Sequence, residues 1–129
     1  PNIGECWGAG TATVILLGRT ESKLEQVYDA IEAAGGPRPA LVTLDLASAT
    51  EDSVIHLAHA LAEEVPHLDG LLHNASVLGE RRPLESAGYA GWQEVMQVNV
   101  NAQFLLTRHL LPLLQAAPAA SISPASRIA

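Results

Sequence analysis

Apolar residues along this chain alternate between short unbroken runs and longer stretches in which they recur every three or four positions. Thr13-Val14-Ile15-Leu16-Leu17 is a run of the first kind, partly β-branched and closed by Gly18. It predicts a strand covered on both faces in a parallel sheet. Beyond Thr20, a candidate cap, Leu24, Val27, Tyr28 and Ile31 stand at i, i+3, i+4 and i+7 until Gly35-Gly36-Pro37 ends the pattern. That spacing predicts an amphipathic helix. The cycle then repeats with an apolar strand over residues 40–44, ending at Asp45. Ser48 or Thr50 caps a second helix whose Val54, Leu57, Ala58, Leu61 and Val65 share one face before Pro66. A third strand covers residues 68–73. A polar loop with Gly79, Arg81, Arg82, Pro83 and Gly88 leads to a long helix over residues 91–115, with Pro112 as a candidate bend.

Strands alternating with helices of this size make β-α-β units, whose right-handed crossovers lay the strands parallel. The predicted architecture is therefore α/β with a doubly wound parallel sheet. Residues 116–129 are rich in Ala, Ser and Pro without a clear period.

Composition narrows the function. The 129 residues carry 14 acidic against 7 basic side chains, for a net charge of -7. Lys23 is the only lysine. This balance argues against a nucleic-acid partner, whose phosphates need clustered cations. The scattered aromatics Trp7, Tyr28, Tyr89, Trp92 and Phe104 offer no stacking platform for single strands. No window approaches the roughly 18 apolar residues of a membrane span, so no membrane partner is expected. Cys6 stands alone, which fits a reducing, cytoplasmic setting.

In open parallel sheets ligands gather outside the C-terminal ends of the strands. Arg19, Asp45 with Leu46, and Asn74-Ala75-Ser76 occupy those places. Arg19 offers a planar guanidinium to a phosphate, Asp45 an acceptor to an adenine-type amine, and Ala75-Ser76 room for backbone to approach a flat ligand. Taken singly, each also reads as an ordinary solvated loop or capping residue. His56 and His59, three apart on a helix, lack a visible third ligand, so no metal site is expected. His73 and His109 have no carboxylate partner that the sequence places. Trp92, Val95 and Met96 read as core.

The stretches ATVILLGR, LDL, LDGLLHNAS and WQEVMQVNVNAQFLLTRHLLPLL resemble the short-chain dehydrogenase/reductase family, and within it the bacterial YciK-type oxidoreductases, from about residue 12 to 114. The resemblance implies a Rossmann-type fold and hydride transfer between a nicotinamide cofactor and a small-molecule carbonyl or alcohol. It makes Arg19 the holder of a ribose 2′-phosphate, hence NADP in preference to NAD. It sets Asp45 and Leu46 at the adenine and Asn74, Ala75 and Ser76 in the family's Asn-Ala-Gly turn, with Ser76 in the glycine position. It gives Asn99 the place of the family's catalytic Asn. Periodicity alone reads Asn99 as a polar helical residue with a packing or bending role.

Other family features are missing. The family's catalytic tyrosine is followed four residues later by lysine, whereas here Tyr28 is followed by Glu32 and Tyr89 by Gln93. A tyrosine near pKa 10 without a neighbouring cation is a poor proton carrier at neutral pH. Gly4, Gly8 and Gly10 match the spacing of the family's pyrophosphate loop, but a glycine pattern is a weak signal by itself. A crossover needs roughly 10–12 residues, and Gly10 nearly touches the strand at Thr13, so the match reads as coincidental. The expected organisation is a divergent segment over 1–11, a partial Rossmann domain over 12–115 and a divergent tail over 116–129. It lacks the first strand with its glycine loop and the C-terminal catalytic half. In the family that first strand lies between the strands at Thr13 and Leu68, and its loss leaves a gap of roughly 9–10 Å. Unpaired edges of this kind predict marginal stability and self-association.

Two functions follow. One is a fragment of an NADP-dependent oxidoreductase, inactive as this chain. The other is a non-catalytic nucleotide-binding or association module, homo-oligomeric through the helix at 91–115.

Overall fold

Residues 12–124 are described by the structure, a computed structural model. The Gly4-Gly8-Gly10 pattern lies outside them. The chain divides into two units, residues 1–45 and 46–129.

In the first unit, β1 (Ile15–Gly18), α1 (Glu21–Ala33) and β2 (Ala40–Thr43) form one parallel β-α-β turn. Register runs from Ile15 opposite Ala40 to Gly18 opposite Thr43. Ala40 N donates to Val14 O at 3.0 Å and Leu44 N to Gly18 O at 2.9 Å, extending the ladder at both ends. Val14 and Leu16 pack against Leu24 and Ile31 of α1, with Val27 and Tyr28 alongside, as the helical spacing predicts. Thr20 occupies the cap position, but its side chain makes no capping bond. Gly35, at φ 79°, supplies the left-handed turn that stops α1.

In the second unit, α2 (Glu51–Glu64) starts from Thr50, which accepts from Ser53 N while Ser53 Oγ accepts from Thr50 N, a reciprocal capping box. β3 (Gly70–His73) follows, then a single 3-10 turn (Leu84–Ser86) and a helical run. That run comprises α3 (Tyr89–Met96), a π-helical turn (Gln97–Asn101) and α4 (Ala102–Gln115). Val98, Ala102, Leu106, Leu110, Leu113 and Leu114 form its buried side. α4 packs against both α2 and β3.

Three expectations change. The irregularity in the long helix falls at the π-helical turn, whereas Pro112 sits near the end of α4, where few backbone bonds remain to be lost. Residues 121–124, without apolar rhythm, nonetheless form β4 (Ser121–Pro124), parallel to β3 from Gly70 opposite Ser121 to His73 opposite Pro124. Ladder bonds hold this strand, so it needs no period of its own. Trp92 is 62% exposed rather than core, because α3 buries none of its residues.

The predicted single sheet appears among the described residues as two parallel pairs, β1-β2 and β3-β4. Each strand has one paired neighbour there. No helix of the described residues is long and apolar enough to cross a membrane.

Candidate nucleotide site

β1 and β2 are parallel and in register, so Arg19 and Asp45 leave the same C-terminal end of one sheet. Both are exposed. Arg19 makes no hydrogen bond or ion pair among the described residues. Its guanidinium is free to meet an anion without first breaking a contact among the described residues.

In the second unit, β3 ends at His73 and releases Asn74, Ala75 and Ser76, all exposed. Small side chains leave backbone accessible here but do little to fix it, and the fixing comes from elsewhere. Asn99 Oδ1 accepts from Val77 N and Asn99 Nδ2 donates to Val77 O, both at 2.9 Å. This two-point clamp closes the far end of the turn. At the near end, His73 Nε2 lies 2.8 Å from Thr107 Oγ1 of α4. His73 is buried, and burial pushes its pKa below the ordinary imidazole value.

No non-glycine among the described residues has positive φ, so Ser76 carries no backbone strain. The position that requires glycine is Gly79, at φ 75°, where an added Cβ would lie 2.8 Å from Val95 Cγ2. In the sequence Gly79 is marked only as part of a polar loop.

Leu46 is buried, and its carbonyl accepts from Gln97 Nε2 at 3.1 Å. Neither Gln97 nor Thr107 belongs to a recognisable motif in the sequence. Both are polar residues inside an otherwise apolar helical stretch, which was the available signal. The structure thus gathers Arg19 and Asp45 at one sheet end. It ties Leu46, residues 74–77 and Asn99 to one helical run.

Other candidates resolve differently. His109 does have a carboxylate partner, since its Nε2 lies 3.2 Å from Glu51 Oε1. The two residues are 58 positions apart, beyond the reach of sequence spacing. His56 and His59 are exposed on α2, and no group of three metal-ligating side chains forms among the described residues. Arg82 is engaged with Glu80 at 2.7 Å. Tyr28 Oη accepts from Arg38 Nε at 2.6 Å, and Tyr89 is exposed.

Comparison with known proteins adds to this geometry. The profile of the short chain dehydrogenases matches residues 5–126. The uncharacterized oxidoreductase YciK of Escherichia coli (strain K12) is 49% identical over 111 residues, covering 86% of this chain and 44% of its own. The solved structure of an oxidoreductase, yciK from E. coli, aligns at TM-score 0.87 with 45% identity, over 92% of this chain and 49% of that one. A structure assigned to a short chain dehydrogenase from Escherichia coli CFT073, complexed with NADPH, aligns at TM-score 0.83 with 48% identity. It is covered over 88% of this chain and 47% of that one. The chain spans about half the length of these relatives.

Proposed function

The chain belongs to the short chain dehydrogenase family, with an incomplete Rossmann-type α/β fold, and from that premise we propose that it supplies the nucleotide-binding portion of an NADP-dependent oxidoreductase. The observation that carries this reading is Arg19: an exposed guanidinium, uncommitted among the described residues, at the same sheet end as Asp45. A planar cation in that place suits a ribose phosphate.

Taken one by one, these residue types suit the parts of an adenine dinucleotide phosphate. Arg19 would hold the 2′-phosphate, Asp45 and Leu46 the adenine, and Asn74, Ala75 and Ser76 would let backbone lie against the cofactor. In the oxidoreductase to which this portion belongs, the nicotinamide would supply hydride transfer at a carbonyl or alcohol carbon of a small substrate. Asn99, whose side chain is committed to Val77, holds the turn beside that chemistry. As this chain, the protein is read as catalytically silent and cytoplasmic. Neither tyrosine has a lysine four residues on, and Tyr28 is bonded to Arg38.

The test is titration of the 129-residue chain with NADPH, followed by nucleotide fluorescence, together with NADPH consumption in the presence of carbonyl substrates. The reading expects saturable binding without turnover. Absence of binding overturns the nucleotide role, and turnover overturns the catalytic silence.

A second reading has its own observation. Val100, Phe104 and Leu111 share one side of the helical run, with Phe104 65% exposed, and Trp92 lies exposed on α3. We propose that this face joins two copies of the chain. Sedimentation equilibrium should show a dimer that Phe104→Glu dissociates, whereas a monomer at all concentrations would refute it.

A further inference from the structure

The π-helical turn opens with Gln97, whose Nε2 donates to Leu46 O and to Ala49 O, each at 3.1 Å. Its Oε1 accepts from Asn101 Nδ2 at 3.3 Å. Both N–H bonds of the carboxamide therefore go to one four-residue segment. Its two ends are fixed further: Leu46 is buried, and the next residue, Thr50, is locked in the capping box of α2. Fixing a residue's carbonyl and burying its side chain leaves its backbone little freedom, and Leu46 has both constraints. Two residues further along the same turn, Asn99 clamps Val77. A π-helical turn widens the helix and re-aims its side chains. Here the re-aimed side chains are those that reach the 46–49 segment and the 74–77 turn.

We propose that Gln97 is a positioning residue for nucleotide binding, setting the backbone of Leu46 for the adenine while Asn99 sets the neighbouring turn. This rests on the reading above that Asp45 and Leu46 receive the adenine. Gln97 touches no cofactor itself. It acts through Leu46.

The experiment uses the full chain, Gln97→Met, which keeps side-chain length and removes both donors, and Gln97→Lys, which restores donors on a similar stem. The probe is adenosine 2′,5′-bisphosphate, the adenine end of NADP. In the parent chain the side-chain amide protons of Gln97 should exchange slowly compared with those of the exposed Gln93 and Gln115. Gln97→Met should weaken the probe about tenfold, as loss of two neutral hydrogen bonds implies, with resonance shifts centred on residues 45–50. Gln97→Lys should recover most of that affinity, which a simple loss of packing would not allow. Equal affinity for parent and Gln97→Met overturns the proposal, as does a Gln97 amide that exchanges as fast as Gln93. If the parent chain fails to bind the probe, the adenine role falls together with the functional reading. A slowly exchanging Gln97 amide would then still separate that failure from failure of the hold on Leu46.

Discussion

The segments that follow β1 and β3 both leave the C-terminal ends of parallel strands, and they are held by opposite means. After β1, the chain leaves a strand anchored by apolar packing of Val14 and Leu16 on Leu24 and Ile31, and Arg19 itself is bound to nothing described. After β3, residues 74–76 are small and exposed, and the anchoring comes from polar side chains: His73 to Thr107 before them and Val77 to Asn99 after them. Apolar packing fixes a strand up to its last residue and leaves the next side chain free to meet a ligand. A turn that must offer its own backbone has no side chains to spare for packing, so another element must clamp it. The helical run does so, with Asn99 in its π-helical turn and Thr107 in α4.

The largest expected effect tests the apolar side of this contrast. Ile31 is fully buried in α1, and Ile31→Ala should cost about 2–5 kcal/mol. Urea denaturation reads the loss, and amide exchange in β1 and α1 locates it. A cost under about 0.5 kcal/mol, typical of a surface change, would mean that packing is not what holds this unit. Next comes the polar side. Asn99→Leu leaves the N–H and C=O of Val77 without their partner and should cost about 1–3 kcal/mol, with faster exchange of the Val77 amide as its marker. An unchanged Val77 amide would break the contrast.

Smaller effects sharpen it. Thr50→Ala removes one half of the capping box that starts α2 and should cost about 1 kcal/mol, seen as a lower Tm. The smallest belongs to His73. Burial holds its folded-state pKa below the ordinary 6.5, so as pH falls the unfolded chain takes up the proton first. Its contribution to stability is complete above that value and is lost as pH falls through 6.5 toward the folded-state pKa. Denaturation at several pH values should show this decline, and His73→Asn should flatten it.

Much of the fold was legible. Residues 13–18, 40–44 and 68–73 announce strands by continuous apolar runs, and α1 and α2 announce themselves by spacing and by Gly35 and Thr50. Arg19, Asp45 and residues 74–76 could be placed at strand ends because they follow apolar runs. What stayed hidden depends on partners far away in sequence. β4 exists by pairing with β3, and the text Ser-Ile-Ser-Pro carries no apolar signal for it. The π-helical turn is set by where Leu46, Ala49 and Val77 stand, which no local period records. Asn99 was marked by resemblance, while Gln97 and Thr107 showed only as polar interruptions of an apolar helix. Trp92 misled because its size suggests burial, yet α3 has no buried side.

The central claim is that the end of β1 selects NADP through Arg19. Its most direct test is to titrate the chain and Arg19→Ala with NADPH and NADH in parallel. A charged hydrogen bond of about 1.5–3 kcal/mol predicts that the parent prefers NADPH by about tenfold or more and that Arg19→Ala binds both alike. Equal affinity of the parent chain for the two cofactors would contradict it.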